Sequence, residues 1–195
     1  MGKSVSKRIG ILGGTFNPVH NAHLHIAGHA LKKLRLDKVI FVPAFIPPHK
    51  KIAPGVTTED RLRMLGLALA GKKFFEVSQY EVNKKGASYS VRTAGHLRKK
   101  YGKTTKLFFL IGADSLRGLS KWKKIGTLRK IVRFAVAPRP GFKIKKRLPG
   151  IIMLSVPKRN ISSTGIRRLV REKKPIKHLV PPRIGKYIRE RKLYR

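Results

Sequence analysis

The side chains whose spacing first points to chemistry are two histidines, His20 and His23, which stand three residues apart. They close the segment GGTFNPVHNAH, residues 13–23, which follows a short apolar run and leads into a helical pattern. In an open α/β sheet, ligands bind at the carboxyl ends of the strands. A helix that begins there offers free N–H groups and the positive end of its dipole, and both imidazoles lie on its first turn. The segment therefore predicts a phosphate-binding turn, in which Gly13 and Gly14 let the backbone turn tightly.

Two other glycine-rich phosphate sites do not fit the sequence. The dinucleotide fingerprint requires G-x-G-x-x-G, whereas the chain has Gly10, Gly13 and Gly14. A Walker A loop requires G-x-x-x-x-G-K-[ST], and the first glycine is missing before both the GKS at 2–4 and the GKT at 102–104.

A metal site is the remaining alternative for the histidines. His25 and His29 stand four residues apart, a spacing at which two helical side chains can share a metal ion, and they are close in sequence to His20 and His23. No acid stands nearby, and the chain has no cysteine that would complete a ligand set. We therefore predict no metal site formed by the protein itself.

The hydrophobic pattern predicts the elements that must position this turn. Continuous apolar runs alternate with helical patterns, which is typical of strands covered on both faces and therefore of a parallel sheet. The predicted strands are 8–12, 38–43, 74–78, 107–112, 133–137 and 151–156, and the predicted helices are 23–36, 58–70, 89–101, 121–130, 163–172 and 182–191. The long, proline-rich segment 44–57 is typical of a functional or mobile loop. The predicted fold class is α/β, a Rossmann-like parallel sheet flanked by helices, in a single domain over residues 1–195.

The charge of the chain is unusual for an enzyme. Lysine and arginine number 47 against 8 acids among the 195 residues, so the formal net charge is +39. Such a surface binds nucleic acid or other polyanions nonspecifically at low salt, because it releases their counterions. The basic residues are spread along the whole chain and do not gather in one tail. This distribution favours a supercharged surface, basic by drift or by design, around an unrelated active site.

The absence of cysteine and of long apolar runs bears on the compartment of the protein. Cysteine is absent, which excludes disulfides and fits a reducing compartment such as the cytoplasm. No apolar run approaches the roughly 20 residues of a membrane span, so we expect no membrane segment. No feature of the sequence points to a particular oligomeric state.

Further segments carry a resemblance that spans nearly the whole chain. They are VPAFIPPHK at 42–50, ASYSVRT at 87–93, FFLIGADSL at 108–116, KW at 121–122, RPGF at 139–142, ISSTGIR at 161–167 and YIRERKLYR at 187–195. GGTFNPVHNAH is similar to the T/H-x-G-H signature of nucleotidyltransferases, and the ordered set resembles the bacterial nicotinate-nucleotide adenylyltransferases. The chain departs from that pattern at Ala44 and Phe45, where polar residues are expected.

The resemblance implies transfer of the adenylyl group of ATP to nicotinate mononucleotide, giving nicotinate adenine dinucleotide (deamido-NAD) and pyrophosphate in NAD biosynthesis. Mg²⁺ would be carried with the ATP. The acceptor phosphate is already anionic, so no general base is needed. Catalysis would then consist of positioning and of electrostatic stabilisation of the charge on the α-phosphate.

The resemblance also assigns roles to residues. Those expected to be catalytic are His20, His23 and Arg167. Those expected to bind ATP are Gly13, Gly14, Thr15, Phe16, His20, His23, Ser162, Ser163, Thr164 and Arg167. Those expected to bind the acceptor are Tyr89, Ser90, Asp114, Trp122, Arg139 and His49. Residues 162–195 would form a C-terminal helical part that completes the ATP site.

Ordinary structural roles compete with some of these assignments. Residues 162–164 are good helix caps, and Arg167 can lie on the surface as well as fork onto a phosphate. Asp114 can cap the next helix as well as contact a ribose. The only tryptophan, Trp122, can pack in the core as well as stack on a pyridine ring.

Two functional alternatives stay open. The acceptor can be nicotinamide mononucleotide or phosphopantetheine, although Trp122 and the ASYS segment favour a pyridine. Backbone N–H groups near Tyr89 and Ser90, with no acid expected nearby, would select a nicotinate carboxylate over the amide. The other alternative is a cationic nucleic-acid-binding protein that retains the fold without activity, for which we expect salt-sensitive binding and no turnover.

Overall fold

The computed structural model describes residues 6–48, 52–142, 149–157 and 159–195. The strands in this part of the chain form one sheet: β1 (Arg8–Gly14), β2 (Lys38–Pro43), β3 (Phe75–Val77), β4 (Lys106–Gly112), β5 (Val132–Ala137) and β6 (Ile151–Met153). Their order across the sheet is β3-β2-β1-β4-β5-β6, and every neighbouring pair is parallel.

Helices connect and flank the strands. They are α1 (Asn21–Lys33), α2 (Thr58–Leu69), α3 (Tyr80–Lys84), α4 (Ser90–Tyr101), α5 (Ala113–Leu116), α6 (Ile125–Ile131), α7 (Ser163–Arg171) and α8 (Pro182–Glu190). A short 3₁₀ helix, Leu119–Lys121, precedes α6. Within the described ranges, no helix is long and apolar enough to cross a bilayer.

Both faces of the sheet are buried. In β1, Ile9 and Ile11 join one hydrophobic cluster, whereas Leu12 joins the cluster on the opposite face. The pattern repeats in β4, where Phe109 lies in the first cluster and Phe108 in the second. Successive side chains of a strand point to opposite faces, so a strand covered on both sides must be apolar throughout.

The strand order places a ligand site at one point of the sheet. The chain runs outward from β1 to β3, returns to β4 beside β1, and then runs outward the other way to β6. The carboxyl ends of β1 and β4, at Gly14 and Gly112, therefore flank the topological switch point, where doubly wound sheets bind ligands.

The predicted α/β fold with a parallel sheet is confirmed, and β2 has its predicted bounds. The helix predicted over 121–130 begins later, at Ile125, because Lys124 adopts a left-handed backbone with φ 52° and separates the 3₁₀ helix from α6. The strand predicted over 151–156 ends early, at Met153. Helix α3 was not predicted, since its five residues are too few to show a helical period.

Candidate active site

The turn after β1 carries the first part of the site. The carbonyl of Gly14 accepts a hydrogen bond from the N–H of Ala44, at 2.9 Å, which ties the turn to the loop after β2. The residue with the left-handed backbone is Phe16, with φ 50°, and neither glycine has a positive φ. Gly14 is needed for close approach, because a Cβ there would lie 3.1 Å from the Phe16 ring. The tight turn that the sequence assigned to Gly13 and Gly14 is thus made at Phe16.

Phe16 itself faces the core and not the ligand side. Its side chain is buried, and its ring lies 5.0 Å from the His23 ring in an edge-to-face arrangement and 5.8 Å from the Phe41 ring. Phe16 therefore packs against His23 from the core side and helps to hold its imidazole in place.

The two histidines of the turn lie together at the start of α1. His20 is the residue before the first turn of the helix, and the rings of His20 and His23 stack with centroids 3.7 Å apart. The backbone N–H of His20 donates to Nδ1 of His23, at 3.2 Å. Because Nδ1 accepts, a neutral His23 carries its proton on Nε2, where it can donate to a ligand.

His20 is neutral at physiological pH. Its side chain is 5% exposed. Burial, followed by the charge of the Arg139 guanidinium, lowers its pKa from 6.5 to about 4. Arg139 follows β5, on the other side of the switch point. Its effect on the pKa of His20 therefore shows that the two sides of the switch point lie within electrostatic range of each other.

The segment ISSTGIR meets the same turn from the C-terminal part of the chain. Ser162 caps α7 by accepting from the N–H of Gly165, at 3.1 Å. Ser163 Oγ donates to the carbonyl of Pro18, at 3.0 Å. One guanidinium nitrogen of Arg167 donates to the carbonyl of Asn17, at 2.7 Å, and the other to Thr164 Oγ1, at 3.1 Å. The start of α7 is therefore docked on the turn that carries His20.

The last residues of the chain also reach this turn. Tyr194 Oη donates to Oδ1 of Asn17, at 2.6 Å, and both residues are buried. The N–H of Asn21 donates to the carbonyl of Leu179, at 2.9 Å. Sequence reasoning missed Tyr194 and Asn17, because a contact between residues 177 positions apart leaves no local pattern.

Arg61 is a second residue that sequence reasoning missed. Its side chain is 1% exposed, and one of its nitrogens donates both to the carbonyl of Thr15, at 3.0 Å, and to the carbonyl of Ala44, at 2.5 Å. The sequence did contain a signal. Arg61 stands three and four residues before Met64 and Leu65, on the core-facing stripe of α2, where a charged residue is unexpected.

On the other side of the switch point, Asp114 and Arg139 form an ion pair. Asp114 lies in α5, directly after β4, and Arg139 follows the neighbouring β5, since Gly112 pairs with Ala137. The pair lies at the carboxyl edge of the sheet, beside the histidines. Asp114 thus has a protein partner as well as its expected role toward substrate.

Trp122 packs against the core. Its ring meets those of Phe109 and Phe134 edge to face, with centroids 5.8 and 6.2 Å away, and it is partly buried. Trp122 therefore has the core-packing role that was the alternative to pyridine stacking. Stacking on the pyridine stays a prediction for the exposed part of the ring.

The start of α4 forms a separate, positively charged corner. Tyr89 precedes the helix, Ser90 is its first residue, and the Tyr89 ring has the Lys123 ammonium 4.4 Å and the Arg92 guanidinium 5.4 Å from its centroid. The expectation of no acid nearby is wrong. Glu81 of α3 accepts a hydrogen bond from Thr93 Oγ1 in this helix, and burial raises the pKa of Glu81.

His49, the remaining predicted acceptor residue, lies outside the described residues. The His25 and His29 rings lie 4.3 Å apart on α1. Over the described ranges, no three residues from among His, Cys, Asp and Glu gather into a group that would hold a metal ion.

Fold and site together place the chain among the doubly wound α/β nucleotidyltransferases. The model of the cytidylyltransferase-like family matches residues 11–169, which is most of the chain, and the chain belongs to this family. This match confirms the resemblance of the GGTFNPVHNAH segment to the nucleotidyltransferases.

Proteins with similar sequences carry more specific names than the family does. The chain is 43% identical over 199 residues to a protein of Moorella thermoacetica named probable nicotinate-nucleotide adenylyltransferase, covering 96% of this chain and 92% of that protein. It is 38% identical to the nicotinate-nucleotide adenylyltransferase of Bacillus subtilis, covering 96% and 98% of the two chains.

Solved structures share the fold. The nicotinic acid mononucleotide adenylyltransferase of Plasmodium falciparum, described as complexed with APC, superposes with a TM-score of 0.80 at 19% identity, covering 96% of this chain and 97% of that one. The same enzyme described as complexed with NaAD gives a TM-score of 0.75 at 19% identity, with the same coverage. At this identity the likeness supports the fold alone.

Proposed function

We propose that this chain transfers the adenylyl group of ATP to nicotinate mononucleotide, forming nicotinate adenine dinucleotide and releasing pyrophosphate. The observation that carries the proposal is the meeting of His20, His23 and Arg167 around one turn at the switch point. The names of the relatives that are 38–43% identical support the same reaction.

The ATP phosphates are proposed to lie over the start of α1. The N–H groups of its first turn and the Nε2 proton of His23 donate to them. Arg167 has five N–H donors: one bonds the turn at Asn17 and one bonds Thr164 of its own helix, so others are left for phosphate. The negative charge of bound ATP raises the pKa of His20 and favours its charged form. Gly13, Gly14 and Thr15 approach the nucleotide with their backbone.

The reaction is an in-line displacement. A phosphate oxygen of nicotinate mononucleotide attacks the α-phosphorus of ATP, a P–O bond forms, and the bond to the leaving pyrophosphate breaks. His23 and Arg167 stabilise the charge that gathers on the α-phosphate and the leaving group. Since the nucleophile carries no proton that must be removed, the reaction requires no general base, and His20 need not act as one.

The acceptor is proposed to lie between the Asp114–Arg139 pair and the start of α4. Arg139 binds its phosphate and Asp114 its ribose, while Tyr89 and the exposed part of Trp122 contact the pyridine ring. The first N–H groups of α4, at and after Ser90, favour a carboxylate there. His49, which lies outside the described residues, is proposed as a further contact to the acceptor.

Mg²⁺ fits this site as a companion of ATP. Within the described part of the chain, no cluster of three metal-binding side chains is available, and Asp114 is paired with Arg139. Mg²⁺ often keeps several waters and is bound through substrate phosphates, so the nucleotide would bring the ion and supply its oxygen ligands. The ion would partly neutralise the leaving pyrophosphate.

The proposal includes the domain organisation and the compartment of the enzyme. Residues 1–195 form one domain, and residues 162–195 complete the ATP site, as the hydrogen bonds from Ser163 and Arg167 to the turn support. We place the enzyme in the cytoplasm, where ATP is available.

A direct assay separates acceptor and mechanism. Pyrophosphate release is measured with ATP, Mg²⁺ and either nicotinate or nicotinamide mononucleotide. We expect release with the acid and little with the amide. His23→Ala is expected to lower kcat by about 10²-fold, the usual effect of losing one transition-state donor, while His29→Ala on the same helix leaves it unchanged. Equal kcat for the His23 and His29 variants would contradict the assignment.

Nonspecific polyanion binding is a second proposed property, which the net charge of +39 favours. It is tested by anisotropy of a labelled RNA over a salt series. We expect the logarithm of the association constant to fall steeply and linearly with the logarithm of salt concentration, whatever the sequence of the RNA. RNA binding without turnover would favour a binding protein that retains the fold.

A further inference from the structure

Arg61 occupies a position that the proposed reaction does not itself explain. It is fully buried in the first turn of α2, and burial lowers its pKa. Among the described residues, no carboxylate forms an ion pair with it. Instead it donates to carbonyls at Thr15 and Ala44 and to the hydroxyl of Thr58, at 3.1 Å.

The two carbonyls belong to different parts of the site. Thr15 lies in the turn after β1, which carries the proposed ATP-binding residues. Ala44 lies directly after β2, at the start of the loop whose Phe45 N–H donates to Ser88 Oγ, beside the start of α4. One guanidinium nitrogen bridges both carbonyls. It therefore joins the ATP side of the site to the acceptor side.

We propose that Arg61 is a positioning residue for adenylyl transfer: it holds the turn after β1 and the loop after β2 in one fixed relation, so that the two bound substrates meet in line. This inference rests on the proposed function. A guanidinium suits the task because its rigid, planar fork can donate to several carbonyls at once, which a lysine ammonium on a flexible stem does less well.

The physical reason for a large effect is the geometry of a two-substrate reaction. ATP is proposed to contact the turn after β1, whereas the loop after β2 is bonded to Ser88, next to the proposed acceptor residues Tyr89 and Ser90. Each substrate can therefore still bind when the two segments shift relative to each other. Transfer requires both to be placed within a fraction of an ångström, and a misplacement of about 1 Å can cost about 10²-fold in rate. Loss of Arg61 should therefore lower kcat far more than it weakens either substrate's binding.

The test uses three variants and a matched control. Arg61→Met removes the bridge, Arg61→Lys keeps a charge without the fork, and Thr58→Val removes only the third partner of Arg61, so it is expected to fold. Arg63→Met is the control, since Arg63 is an exposed arginine of the same helix. Melting curves establish that each variant is folded at the assay temperature.

Steady-state kinetics and hydrogen exchange are then measured. We expect kcat to fall about tenfold in Arg61→Lys and about 10²-fold in Arg61→Met, with the dissociation constant for ATP within about threefold of the parent value. Amide exchange of the free protein should rise together in 13–19 and 44–48 and stay unchanged in the rest of α2, with Thr58→Val intermediate.

Two results would overturn the proposal. One is a kcat within twofold of the parent chain in a folded Arg61→Lys protein whose two segments exchange as before. The other is a loss of activity that follows only the unfolded fraction and an exchange increase spread evenly over α2. If the parent chain shows no transfer to nicotinate mononucleotide, the proposed function fails, while the exchange measurements still decide whether Arg61 couples the two segments.

Discussion

Acid should destabilise this protein through His20, in a way that a single substitution can reveal. Burial, followed by the charge of Arg139, lowers the pKa of His20 to about 4, whereas in the unfolded chain it is near 6.5. Protonation therefore favours the unfolded state. The contribution of neutral His20 to stability is complete above pH 6.5, and it is lost as the pH falls toward 4.

The size of the effect follows from the shift. One pKa unit corresponds to about 1.4 kcal/mol, so a shift from 6.5 to about 4 removes about 2 kcal/mol at about pH 5 and about 3 kcal/mol at still lower pH. His20→Asn removes the titrating group and keeps a side chain that is favoured before the first turn of a helix.

The assay is denaturant unfolding of both proteins at about pH 7.5 and about pH 5. Burial also lowers the pKa of His25 and His96. The parent chain and the His20→Asn variant both contain these histidines, so their contributions cancel when the two losses of stability are subtracted. We expect the parent chain to lose about 2 kcal/mol more than His20→Asn between the two pH values. The same loss in both proteins would refute the argument that His20 is buried in its neutral form.

Three further predictions concern charge, a long-range hydrogen bond and packing. Added salt should raise the melting temperature by a few degrees, because it screens the repulsion of a +39 surface, and a flat curve would contradict this. Tyr194→Phe leaves Oδ1 of Asn17 buried without this donor, and it should lower the free energy of unfolding by about 1–3 kcal/mol; an unchanged value would show that the bond contributes nothing. Gly10→Ala should lower the free energy of unfolding by about 1–3 kcal/mol, since its Cβ would lie 2.8 Å from Leu36 Cδ1. Gly28→Ala in α1 should raise it by up to about 1 kcal/mol, because a Cβ there meets nothing within 4 Å. Calorimetry of the two glycine variants checks the pair, and equal melting temperatures would contradict the close contact at Gly10.

The fold could be predicted because its strands are buried on both faces. Runs such as LFFLIG in β4 have few polar residues, and a strand of that kind fits only the interior of a sheet covered by helices. The turn that holds the two histidines could also be predicted, since the histidines, the preceding strand and the following helix are neighbours in the sequence.

The supports of the site could not be predicted in the same way. Tyr194 meets Asn17 across the whole length of the chain, and only the packed fold brings them together. The left-handed turn lies at Phe16, where a propensity argument favours the adjacent glycines. The interaction of Glu81 with Thr93 depends on α3, which is too short to leave a hydrophobic period.

Isotope transfer tests the central claim most directly. Nicotinate mononucleotide whose phosphate oxygens are labelled with ¹⁸O is incubated with unlabelled ATP and Mg²⁺, and the products are weighed by mass spectrometry. Attack on the α-phosphorus predicts a dinucleotide that keeps all of the label and pyrophosphate that has none. Label in pyrophosphate, or AMP and pyrophosphate formed without any dinucleotide, would contradict adenylyl transfer to this acceptor.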